Sequence, residues 1–143
     1  MRVVADTNVV VSAFLWGGVP AEIVKAARRK VVTLYSSPPL VAELEEILSR
    51  EKFTERLTRV GSSVTEIIGD YRALVTIVIP EFVPRIVRDP DDDHVIACAV
   101  AAGATIIVSR DNDLLSLGVH QGIEVLVAAE AMKRINTISE IQK

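Results

Sequence analysis

Apolar runs that alternate with helical segments predict a three-layer α/β/α fold around a central parallel sheet of about five strands. Two observations carry the prediction. The runs are continuous rather than alternating in polarity, as in residues 2–5 and 104–108, which marks strands covered on both faces. A segment with helical spacing also separates each run from the next, as right-handed crossovers between parallel neighbours require.

Residues 2–5 form the first strand, and Asp6-Thr7-Asn8 leads into a helical run over 9–15. Trp16-Gly17-Gly18-Val19 is a loop before Pro20, a favoured first helical residue. The helix 20–30 carries Ile23, Val24, Ala26 and Ala27 on one side and Arg28-Arg29-Lys30 in its last turn, where cations suit the dipole. The second strand is 31–35. Ser36-Ser37-Pro38-Pro39 then starts a helix from 39 to about 50, with a Ser cap and prolines in the first turn. Two more helices, 53–60 and 63–74, flank a Gly61-Ser62 turn. A short third strand, 76–79, stops at Pro80, and 85–88 reads as extended or loop between Pro84 and Pro90. The helix 91–102 ends at Gly103, which stands where a left-handed cap belongs. A fourth strand (105–109), a short helix (112–117), a fifth strand (124–127) and a helix over 128–135 complete the order, with the last residues frayed. No internal repeat, low-complexity tract or linker divides the chain, so a single domain over 1–143 is expected.

A chain of 143 residues can bury a core without staples. Half of it is apolar and its mean hydropathy is +0.36, which excludes disorder. Cys98 is the single cysteine and cannot form an internal disulfide, so a reducing cytoplasm is expected. No membrane span is expected, because the longest candidate, 95–108, is too short and contains Gly103 and Thr105. Asp6 interrupts the first apolar stretch, which excludes a signal peptide there. The net charge of −3 argues against a nucleic-acid partner, but the bases cluster. They gather as Arg28-Arg29-Lys30, as Arg50, Lys52, Arg56 and Arg59, and as Arg85 with Arg88. Each group alone reads as a solvated helix face; together, around an acidic centre, they suit a phosphodiester.

Carboxylates stand at the strand ends where ligands of open α/β sheets gather. Asp6 closes the first strand, and as a helix cap it has an equally good structural explanation. Glu43 lies at the edge of the apolar stripe of its helix; periodicity gives Glu45 equal merit on the other edge, and Glu46 points away. Arg88-Asp89-Pro90-Asp91-Asp92-Asp93-His94 is the densest acidic stretch, and acids in a first helical turn also serve the dipole. Asp93 stays near the buried surface of Ile96 and Val100, whereas Asp92 is nearer the centre of that stripe but in the first turn, so both stand. Asp111 follows the fourth strand, and Asp113 falls in the next helical turn, one to bind and the other to cap. His94 has no second His or Cys at zinc spacing, and Cys98 reads as a buried hydrophobe. Collected carboxylates repel and resist desolvation, and a hard divalent cation supplies the reason to collect them.

These residues resemble the PIN domain family over nearly the whole chain. Ala5-Asp6-Thr7-Asn8 is similar to its first motif, and Leu40-Val41-Ala42-Glu43-Leu44 to its mid-chain helical acid. Asp93-His94-Val95-Ile96-Ala97-Cys98-Ala99 resembles the third motif and Ser109-Arg110-Asp111-Asn112-Asp113 the fourth. The Phe14-Leu15-Trp16-Gly17-Gly18 loop and the Asp89–Asp93 run look like a toxin subgroup related to VapC-type toxins. The resemblance implies Glu43 rather than Glu45 and Asp93 rather than Asp92. It implies a ribonuclease using Mg²⁺ or Mn²⁺, with catalytic and metal-holding Asp6, Glu43, Asp93 and Asp111 and with Asp113 as a fifth acid. Thr7, Asn8 and Ser109 would position water or phosphate, and the products would carry a 5′-phosphate and a 3′-hydroxyl. An antitoxin protein and a homodimer or higher homo-oligomer are the implied partners. The alternative is a PIN-like domain that binds RNA or protein without cleaving. A receiver domain would need a Lys after its last strands, a haloacid dehalogenase-like phosphatase an Asp at position 8, and a dinucleotide site a Gly-rich first turn. No lysine is placed for the first, position 8 is Asn, and Asp6-Thr7-Asn8 stands where the glycines would be.

Overall fold

The computed structural model describes residues 1–83, 85 and 89–141. The chain begins with β1 (Arg2–Ala5), α1 (Thr7–Leu15), α2 (Gly18–Arg28), β2 (Thr33–Ser36) and α3 (Pro38–Leu48). A single 3₁₀ turn (Glu51–Phe53) leads into α4 (Thr54–Arg59), α5 (Val64–Leu74) and β3 (Thr76–Ile77). Then come α6 (Pro90–Ala102), β4 (Ile106–Val108), α7 (Asn112–Leu115), β5 (Val119–His120), β6 (Ile123–Leu126) and α8 (Ala128–Ile141).

The strands form one sheet in the order β3-β2-β1-β4-β6-β5, parallel except for β5 against β6. Alternate residues of each central strand enter two separate cores. Val3, Ala5, Ile106 and Val108 pack with α1, α2, α3, α5 and α8, whereas Val4 and Ile107 pack with Val95, Ile96, Cys98 and Ala99 of α6. Helices therefore cover both faces, and the strands need apolar residues at every position. Burying each such branched side chain contributes about 1.5–3 kcal/mol.

The expected α/β architecture is borne out with six strands where about five were expected. The extra one, β5, is two residues long and pairs with β6 through a tight hairpin, Val119 opposite Glu124 and His120 opposite Ile123. Gln121 and Gly122, both at positive φ, make its turn. Two residues are too few to show a period of two. The third strand is shorter than 76–79, because β2 offers partners only as far as Ser36 and Pro80 follows soon after. α2 starts at Gly18, before Pro20, and stops at Arg28; Lys30, at φ 63°, turns the chain toward β2. α8 continues well past 135. The segment 85–88 lies outside the described residues apart from Arg85, as do 142 and 143.

Gly103 is a left-handed cap at φ 63°. The Arg2 guanidinium donates to the Ala102 carbonyl at 2.9 Å, so the start of β1 also ties down the end of α6. β2 and β3 lie on one side of β1, while β4 lies on the other, reached after α6. The carboxyl ends of β1 and β4 thus flank the point where the winding reverses, the place where such sheets leave a crevice.

Candidate metal centre

Asp6 stands directly after β1, with its amide bonded to Val108 of β4 at 2.8 Å, so the sheet itself places it. It occupies the cap position of α1, yet its side chain makes no cap bond. Instead the Ser109 hydroxyl donates to Asp6 Oδ2 at 2.8 Å, and the same Ser109 Oγ accepts from the Asp111 amide at 3.0 Å. Ser109 thereby links the ends of two adjacent parallel strands. Burial of Asp6 raises its pKa above the usual carboxylate range, against the lowering effect of the Ser109 hydroxyl and the Thr7 amide; Asp111 adds to the rise.

Glu43 and Glu45 separate clearly. Glu45 is exposed, and Glu46 is occupied by Arg50 at 3.2 Å. Glu43 is half-buried, close enough to feel Asp6 and Asp91, and near the Thr7 side chain, which favours its charged form. Burial first, then those two carboxylates, push its pKa to about 7.

The acidic run before α6 divides its work. Asp89 caps the helix by accepting the Asp91 amide at 3.0 Å, and Asp91 is exposed. Asp92 and Asp93 are both buried, at 6% and 5% exposure. Asp92 is raised to about 7 by burial, by Asp111 and by Asp6. One carboxylate oxygen from each of Asp92, Asp111 and Asp113 lies within 4.8 Å of the others. Asp111 also accepts the Asp113 amide at 2.8 Å, so the same residue caps α7 and lends an oxygen to the cluster. Asp92 Oδ2 is buried without a hydrogen-bond partner, and a buried carboxylate oxygen left bare is costly unless something else satisfies it.

The PIN domain profile matches residues 2–113. The chain belongs to the PIN domain family. Its fold is similar to that of a chain in the crystal structure of VapBC2 from Rickettsia felis bound to a DNA fragment from their promoter. The TM-score is 0.61 and the identity 14%, with 87% of this chain and 97% of that chain covered. No curated protein matches the chain.

In this PIN domain the residues anticipated from sequence converge unevenly. Asp6, Glu43, Asp111, Asp113, Thr7 and Ser109 meet at the β1–β4 crevice. Asn8 is exposed at the start of α1. Asp93 is buried on α6 but stands outside the oxygen cluster, which takes Asp92. The signal for Asp92 was its place at the centre of the α6 apolar stripe, and its first-turn position counted against it. Asp89 anchors that turn through its cap bond to the Asp91 amide. His94 stands outside the cluster, and Cys98 is fully buried. The donor set is entirely oxygen, several atoms converge, and one buried oxygen is unsatisfied, a set that fits Mg²⁺ or Mn²⁺ rather than zinc.

Proposed function

We propose that this PIN domain is a divalent-metal-dependent ribonuclease acting as the toxin of a toxin–antitoxin pair. The observation that carries the reading is Asp92, which lends one oxygen to the cluster with Asp111 and Asp113 and keeps its buried Oδ2 without a partner, with Asp6 and Glu43 close by. Family membership supports nuclease chemistry. The likeness to the VapBC2 structure supports the fold and motivates the choice of an antitoxin as partner.

Asp6, Asp92, Asp111 and Asp113 would hold Mg²⁺ or Mn²⁺; the resemblance assigns the α6 position to Asp93 and the oxygen cluster favours its neighbour. Such an ion would supply charge for the scissile phosphate and lower the pKa of water. The chain's own groups orient. Ser109 fixes the Asp6 carboxylate, and Glu43, half-buried near Thr7 and Asp6, would orient water. Asn8, exposed at the start of α1, faces solvent where a phosphate can approach a helix amino terminus. Arg110 is the cation that acts on Asp6 and can meet an incoming phosphate. By family resemblance the products would carry a 5′-phosphate and a 3′-hydroxyl. A homodimer in the cytoplasm, held silent by its antitoxin, completes the reading.

The test is cleavage of single-stranded and structured RNA by purified protein with Mn²⁺ or Mg²⁺, and its loss with chelator and in Asp6→Asn. RNA binding by folded protein with no cleavage under any divalent ion would leave the silent binding domain instead.

A further inference from the structure

Outside the acidic crevice, one exposed patch joins aromatic rings to cations. Trp16 sits at the corner where α1 turns by 94° into α2, and 54% of it is exposed, although Leu15 beside it is buried. Phe53 meets it edge-on, with ring centroids 5.9 Å apart at 69°. The Arg56 guanidinium lies 5.5 Å from the Trp16 ring centroid and the Lys52 ammonium 5.1 Å from that of Phe53. Arg56 Nε donates to the Leu15 carbonyl at 2.6 Å, which fixes the planar fork and leaves its terminal nitrogens for another acceptor.

The neighbouring cations are neutralised, Arg50 by Glu46 and Arg59 by Glu55. Among the described residues no carboxylate forms a salt bridge with Lys52 or Arg56, although Glu51 precedes Lys52 in the chain. Capping the end of α1 explains the Arg56 bond, since a cation there suits the dipole. It explains neither an indole left in solvent nor a second cation on the adjoining ring.

We propose that Trp16, Phe53, Lys52 and Arg56 form a docking platform for single-stranded RNA, with a base stacked on the aromatic–guanidinium layer and phosphates on the free donors. Aromatic rings with unpaired cations are what a flexible polyanion with exposed bases needs, and an apolar protein partner would leave the cations unused. The choice of RNA rests on the ribonuclease reading. Location favours it: α1 begins beside Asp6 and ends at Trp16, about 15 Å away at its helical rise. The chain that carries Glu43 on α3 likewise runs on to Phe53. A strand of a few nucleotides reaches from crevice to platform.

Trp16 is the single tryptophan, so its fluorescence reports the platform directly. Metal-free wild type titrated with an oligouridylate of about twelve nucleotides should show quenching on binding. Anisotropy of the labelled oligonucleotide should give about tenfold weaker binding for Trp16→Ala, recovery in Trp16→Phe, and a smaller loss for Lys52→Ala. Arg56→Ala should reduce the salt slope by about one, while Lys133→Ala, an exposed charge removed from α8, should stay within about twofold. Unquenched Trp16, or Trp16→Ala and Lys52→Ala proteins with native circular dichroism and full affinity, would overturn the platform. So would a dimer that Trp16→Ala dissociates with RNA affinity intact, which would assign the patch to a second copy. Quenched binding without cleavage under Mn²⁺ would remove the nuclease reading and keep the platform; cleavage with full affinity in the variants would do the reverse.

Discussion

Asp92 and Asp93 are consecutive on one helix and almost equally buried, yet among the described residues the cluster with Asp111 and Asp113 takes its α6 oxygen from Asp92. Substituting each by Asn separates them. Asp92→Asn should cut metal-dependent cleavage by about a hundredfold or more, and Asp93→Asn by less than about tenfold. The opposite ranking would return the role to Asp93. Glu43 illustrates the same limit of sequence. A helical wheel places Glu43 and Glu45 symmetrically about the apolar stripe, and only the position of α3 against α1 distinguishes the half-buried edge from the exposed one. Cys98, by contrast, was legible at once: deep in an Ala-rich helix, it is 0% exposed, and burial pushes its thiol to about 12. Native protein should therefore react with a thiol reagent at pH 8 only as fast as it opens, and rapidly in denaturant.

At the scale of elements, the β1 and β4 ends were readable because each couples a buried run to an abrupt polar turn. What their spacing could not reveal is Ser109 as the bond between them. Removing it with Ser109→Ala should weaken Mn²⁺ binding about 10- to 100-fold, as loss of a group that orients a metal-holding side chain does. Isothermal titration would measure this, and unchanged affinity would show that the sheet alone holds Asp6. Gly103 was equally readable as a helix stop, and its φ of 63° makes Gly103→Ala cost about 1 kcal/mol in denaturant unfolding. The short β5 hairpin escaped notice because two residues carry no period and its pairing depends on β6.

Across the whole molecule, parallel topology came through in the sequence because strands buried on both faces need unbroken apolar runs. The convergence of distant acids did not, since it depends on the strand order β2-β1-β4, which no local pattern encodes. That convergence has a measurable consequence. Glu43 and Asp92 are both raised to about 7 without metal, and Asp6 is raised as well. Between about pH 4 and pH 7 the folded chain keeps protons on these groups that the unfolded chain has released. Folding then takes up protons, so stability of the metal-free protein falls as pH rises through this window. Its melting temperature should be higher at pH 5 than at pH 8, and Mn²⁺ should raise it at pH 8 by binding the folded state. A flat profile, or no response to the ion, would mean the acids are not crowded together.

In the proposed function these crowded acids hold a divalent ion for phosphodiester hydrolysis of RNA. Its most direct measurement is single-turnover cleavage of an end-labelled RNA by wild type and Asp6→Asn in parallel, with Mn²⁺ and with chelator. Wild type with Mn²⁺ alone should yield fragments bearing a 5′-phosphate, and none should come from the variant or with chelator. Equal cleavage by folded wild type and variant, or cleavage that persists in chelator, would contradict it.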